Sequence, residues 1–126
     1  VGPEDTLVEG IRDYLEGQKC FTELIIGGPG KQGACLEGSK DFAKAFMVRH
    51  GIPTARYMTV TRENLPEGLE FLEQLKPPYV LKADGLAAGK GALILEDQEE
   101  AVRELIAMWD GKCGNAGKQV VVEEFL

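Results

Sequence analysis

The sequence predicts an α/β (α+β) fold, and three observations carry that expectation. From Gly51 onward, apolar residues switch between helical spacing and short β-branched or aromatic runs in the order β-α-β-β-α-β. Two of those runs, residues 79–82 and 92–95, flank a glycine-rich segment and read as the arms of a hairpin. Ahead of Gly51, two amphipathic helical stretches enclose a short apolar run and a cluster of glycines.

Each element has its own local cause. Leu7, Val8, Ile11, Tyr14 and Leu15 recur at helical spacing over residues 5–16, with Asp5 as N-cap. Leu24, Ile25 and Ile26 form a strand-like run stopped by Gly27-Gly28-Pro29-Gly30, and the glycine-rich stretch 27–33 marks a domain boundary. Residues 39–50 predict a helix capped by Ser39, with Phe42, Ala43, Phe46 and Met47 on one face and Gly51 and Pro53 as stop signals. Residues 56–60 predict a strand. Residues 63–75 predict a helix through Leu65, Leu69, Leu72 and Leu75, ended by Pro77-Pro78, with Pro66 tolerated in its first turn. Residues 97–109 predict a helix on Ala101, Leu105 and Met108; residues 111–118 form a polar loop, and residues 119–125 a β-branched strand.

Composition excludes several function classes. A net charge of −7 repels nucleic acid, and no block of Lys or Arg offers a phosphate-tracking face, so an anion must be bound locally. No apolar run approaches the roughly 18 residues that span a bilayer. The first residues carry acids where a signal peptide carries lysines, so a cytoplasmic protein without membrane contact is expected. Cys20, Cys35 and Cys113 are odd in number and lack CxxC spacing or histidine partners, which favours free thiols over a disulfide or zinc site. His50, the only histidine, falls at a helix C-terminus and suits the dipole there better than base catalysis. The chain begins at Val1 and ends on an apolar strand residue with no stop signal, and it reads as a piece of a longer one.

The segment Lys82-Ala83-Asp84-Gly85-Leu86-Ala87-Ala88-Gly89-Lys90-Gly91 is the strongest chemical feature. A strand delivers one lysine, three glycines permit close backbone approach, and a second lysine sits in the loop, an arrangement that can wrap a triphosphate. Phosphate oxygens need unobstructed N–H donors, and ammonium groups offset the charge that develops in transfer. It is not a Walker A loop: Gly85 and Gly89 are one residue too close, Gly91 replaces the magnesium-binding Ser or Thr, and a strand follows. A surface hairpin with glycines for turn geometry accounts equally well for these residues.

Three weaker features stand beside it. Lys40 lies in the first turn of a helix, where the macrodipole disfavours a cation; a paired anion or simple solvation of its long stem would explain it. Glu123, Glu124, Phe125 and Leu126 end a buried strand and could face a flat aromatic ligand, although acids turned to water are the simpler reading. Gly2-Pro3-Glu4 precedes a helix and could hold a substrate group or merely form the entry turn.

Taken in order, Val1-Gly2-Pro3-Glu4, the run from Leu36 through Lys40 to Phe42-Ala43-Lys44, Gly51-Ile52-Pro53-Thr54-Ala55, the segment 79–91 and Glu123-Glu124-Phe125-Leu126 resemble the phosphoribosylamine–glycine ligase family of the ATP-grasp superfamily. The resemblance implies that residues 36–126 form the first ATP-grasp subdomain and residues 1–35 the end of a preceding Rossmann-like α/β domain with its linker. It implies that Lys40 and Lys82 contact ATP phosphates, and that Asp84, Gly85, Leu86, Ala87, Ala88, Gly89, Lys90 and Gly91 close over them, with Lys82 and Lys90 catalytic. Glu123, Glu124, Phe125 and Leu126 would line the adenine, and Gly2, Pro3 and Glu4 the phosphoribosylamine site. Family members use ATP with Mg2+ or Mn2+ to couple glycine to 5-phosphoribosylamine, and the metal ligands are expected outside this chain. The fragment alone is expected to be inactive. Two further readings stand beside it: an ATP-grasp ligase with a different acceptor, and a non-catalytic nucleotide-binding or interaction module.

Overall fold

The computed structural model describes residues 4–18, 23, 25–85, 91–113 and 118–126. In chain order the elements are α1 (Asp5–Glu9), α2 (Ile11–Glu16), α3 (Lys31–Gly38), α4 (Lys40–Arg49), β1 (Tyr57–Val60), α5 (Leu65–Gln74), β2 (Tyr79–Ala83), β3 (Ala92–Leu95), α6 (Gln98–Ala107) and β4 (Val120–Glu124). From β1 onward this is the β-α-β-β-α-β order that the periodicity predicts. Chain neighbours β2 and β3 pair as the expected hairpin, and the sheet runs β1-β4-β2-β3 with every pair antiparallel.

β4 lies between β1 and β2, which explains its run of Val120, Val121 and Val122, all fully buried. Side chains alternate across the strands. On one face Val60, Tyr79, Leu81, Val120 and Val122 pack with Leu72 and Leu75 near α5 and with Ala101, Leu105 and Met108 near α6. The opposite face carries Tyr57, Thr59, Val80, Lys82, Ile94, Val121 and Glu123, and α4 covers part of it through Asp41 and Lys44.

The amino-terminal part departs from the expected plan. Gly10, at φ 95, breaks the predicted helix 5–16 into α1 and α2, because its left-handed conformation lets its N–H close the first helix. The N-cap of α1 is Glu4, not Asp5. Ile25 and Ile26 are irregular rather than strand, and Ile25 is 95% exposed; Leu24 lies outside the described residues. A helix that no apolar period announces, α3, starts at Lys31 and includes Gly33 of the glycine-rich stretch. Its cap comes from far away: the Lys31 N–H donates to the Asp13 carboxylate at 2.6 Å. Beyond α6 the helix widens into a π-helical turn, Met108–Lys112, with Gly111 at φ 108. Residues 114–117 of the expected polar loop lie outside the described residues.

Gly68 shows how closely α5 approaches the sheet: a Cβ there would stand 2.5 Å from Val60 Cγ1, and Val60 is fully buried. Gly68→Ala must therefore displace α5 or Val60, and denaturant unfolding of the chain should show a loss of about 1–3 kcal/mol despite alanine's better helix propensity.

Candidate functional site

The site begins where β2 leaves the sheet. Asp84 places its carboxylate at the start of α4, accepting from the Lys40 N–H at 2.6 Å, the Asp41 N–H at 3.2 Å and the Ser39 hydroxyl at 3.1 Å. Ser39 itself caps the helix by accepting from the Phe42 N–H at 3.1 Å. The Asp84 carboxylate meets the positive end of the helix dipole through these backbone N–H groups. Lys40 Nζ reaches past it and donates to the Gly85 carbonyl at 2.8 Å.

These bonds fix both ends of the glycine-rich segment. The Ala83 N–H donates to the Gly91 carbonyl at 2.6 Å, and the Asp84 N–H to the Gln119 carbonyl at 2.8 Å. The glycine-rich segment is thus held at its base by β2, β3 and β4 and starts beside the N-terminus of α4 and Lys40.

Along β2, one pleat back, Lys82 Nζ lies 3.0 Å from Glu123 Oε2. Glu123 sits between Tyr57 of β1 and Val80 of β2 in the ladder and is only 4% exposed. A second cation meets the same oxygen: Lys44 Nζ, from α4, at 2.9 Å, which also donates to Thr54 Oγ1 at 2.8 Å and lies 5.7 Å from the centre of the Tyr57 ring. Burial, and secondarily the Asp41 carboxylate, raise the Tyr57 phenol above its ordinary pKa, so it stays neutral beside the cluster. A cleft of about 430 Å³ opens over this cluster, with Val80, Ile94, Phe125 and Leu126 as its apolar wall and Lys44, Lys82, Glu123 and Glu124 as its charged one. Phe125 is half exposed and Leu126 largely so.

The sequence-derived candidates divide accordingly. Lys82, Glu123, Glu124, Phe125 and Leu126 line one cleft, and Lys40, Asp84 and Gly85 form the adjoining clamp. Gly91 closes the loop's far end. Leu86, Ala87, Ala88, Gly89 and Lys90 lie outside the described residues, as do Gly2 and Pro3. Glu4 is exposed and does not line the lysine cleft; its carbonyl accepts from the Leu7 and Val8 N–H groups as the entry to α1. The simpler expectation for Glu123, an acid turned to water, is corrected: two ammonium groups hold it inside. Lys44 went unseen as a site residue, because the helical period of α4 was read from Phe42, Ala43, Phe46 and Met47. Phe42 is 39% exposed while Lys44 is buried. The available signal was its spacing, four residues after Lys40 on the same helical face.

The family model for the phosphoribosylglycinamide synthetase ATP-grasp (A) domain matches residues 38–126. The chain belongs to that family. The phosphoribosylamine–glycine ligase of Ralstonia nicotianae is 48% identical over the whole chain, and the chain spans 29% of its length. The bifunctional purine biosynthetic protein of Dictyostelium discoideum is also 48% identical, with 15% of its length covered. The crystal structure of phosphoribosylamine–glycine ligase from Thermotoga maritima superposes with a TM-score of 0.70 over 79% of this chain and 25% of its own, at 46% identity. D-alanine–D-alanine ligase from Helicobacter pylori shares the fold at a TM-score of 0.66 over 96% of this chain and 34% of its own, with 19% identity. This family member therefore spans under a third of the monofunctional ligases it matches.

The clamp has a direct consequence for stability. Asp84→Ala removes the acceptor shared by Ser39, Lys40 and Asp41, and should cost about 2 kcal/mol in denaturant unfolding, with faster amide exchange in the first turn of α4.

Proposed function

We propose that this chain is the part of an ATP-dependent carbon–nitrogen ligase that receives the ATP phosphates and adenine. Residues 36–126 would be the first ATP-grasp subdomain, and residues 1–35 the end of the preceding α/β domain. The observation that carries the reading is the cleft whose polar wall offers Lys82 and whose apolar wall offers Val80, Ile94, Phe125 and Leu126, the two surfaces a nucleotide needs. Membership of the family supports glycine and 5-phosphoribosylamine as the parent protein's substrates, joined to give glycinamide ribonucleotide with ADP and phosphate in purine biosynthesis; a cytoplasmic location is part of the same proposal.

The chemistry asks for stabilised negative charge. A carboxylate is a poor electrophile until one oxygen carries phosphate. In the proposed reaction a glycine carboxylate oxygen attacks the γ-phosphorus of ATP, ADP leaves with the bond pair, and glycyl phosphate forms. The phosphoribosylamine nitrogen then attacks the carbonyl carbon, phosphate leaves, and the nitrogen loses a proton. Lys40 and Lys82 would bind phosphate oxygens, and residues 85–91, with Lys90, would cover them. Among the described residues no group of three or more His, Cys, Asp or Glu side chains could hold a metal ion; Mg2+ or Mn2+ would be held by residues elsewhere in the parent protein. No helix of the described residues is long and apolar enough to cross a membrane.

The test is ADP release by the full-length parent protein with ATP, magnesium and freshly generated phosphoribosylamine, with glycine present, omitted or replaced by other small amino acids. Release that requires both glycine and the amine is expected. Release with another acid in place of glycine would keep the ATP site and overturn the substrate assignment. In the same protein Lys82→Ala should lower turnover at least about a hundredfold with the fold intact by circular dichroism, and near-normal turnover would remove Lys82 from its role.

A further inference from the structure

The cluster on the cleft side of the sheet holds more cation than its carboxylate needs. Lys44 Nζ and Lys82 Nζ stand 2.9 and 3.0 Å from the same oxygen, Glu123 Oε2, so two ammonium groups and one carboxylate leave one net positive charge. The three side chains differ in access: Lys44 is 11% exposed, Glu123 6% and Lys82 33%. Both lysines line the cleft, Lys82 being the more exposed. Without Lys44, Glu123 would cancel the charge of Lys82, and an arriving polyanion would meet a neutral pair.

We propose that Lys44 is a positioning residue that neutralises Glu123, so that Lys82 keeps its charge for an anionic ligand in the cleft, the phosphates of a nucleotide. Lys44 acts through Glu123. Its remaining contacts, the Thr54 hydroxyl and the Tyr57 ring, hold it on the α4 side of the carboxylate. The inference rests on the ATP reading and adds to it the source of the site's surplus charge.

The experiment measures equilibrium binding of ATP, inorganic tripolyphosphate and adenosine to the full-length parent protein and to Lys44→Met, Lys44→Arg and the double variant Lys44→Met/Glu123→Gln. Lys44→Met should weaken ATP and tripolyphosphate about tenfold and change adenosine by less than about twofold, because only the charged ligands sense the lost field. Lys44→Arg should retain binding. The double variant, which returns the cluster to one net positive charge and leaves no unpaired carboxylate, should regain most of the tripolyphosphate affinity. Equal losses for adenosine and ATP would mean a collapsed pocket and overturn the proposal. Unchanged tripolyphosphate binding in Lys44→Met, or a double variant no better than Lys44→Met, would overturn it as well. Should Lys44→Met fail to fold, the double variant decides: bound tripolyphosphate upholds the charge balance, and its loss refutes it. If the unaltered protein binds adenosine but neither polyanion, the ATP reading itself fails.

Discussion

The carboxylate of Asp84 joins the two parts of the molecule that the site needs. It stands at the end of β2, yet its oxygens receive the first N–H groups of α4 and the Ser39 hydroxyl that caps the same helix. A helix start is the end that attracts negative charge, so this contact is favourable by dipole as well as by hydrogen bonding. It also sets the register of α4 over the sheet. With Lys40 fixed beside the loop base, the next turn of the helix brings Lys44 above β4, where Glu123 points upward.

The sheet can carry such a charged face because its other face carries the core. Alternation along β4 sends Val120 and Val122 toward α5 and α6 and leaves Val121 and Glu123 on the α4 side. Apolar burial below offsets the cost of desolvating Glu123 above, and the antiparallel pairing on both sides of β4 fixes where that carboxylate stands. Gly68 contributes in the same way from the core side, since the absence of a side chain lets α5 lie directly on Val60.

How much of this could be read from the sequence follows from the range of the interactions. Strands and helices beyond Gly51 were legible because each is announced by its own period and its own stop signals, as with Pro66 in the first turn of α5 and Ala101 and Leu105 along the inner face of α6. The break at Gly10 and the start of α3 were not, because the cap of α3 is supplied by Asp13, eighteen residues earlier. Lys82 and the loop that follows it were legible as a unit of residue types. Glu123 was misread toward solvent because its burial depends on Lys44 and Lys82, which come from a different helix and a different strand. Lys44 was not legible because the inner face of α4 is partly charged: Lys44 is buried there against Glu123 while Phe42 is 39% exposed.

A buried carboxylate with two lysines is a costly way to fill space, since apolar side chains of similar volume would commonly stabilise the fold as well or better. Its neighbours Val80, Val121 and Ile94 show that this face accepts apolar residues freely. Charge has been placed on the central strand, where water is least able to screen it and where one net positive charge acts most strongly on whatever enters the cleft. The arrangement is economical only if that field is used, and the opening beside Lys82, walled by Phe125 and Leu126, is where it emerges.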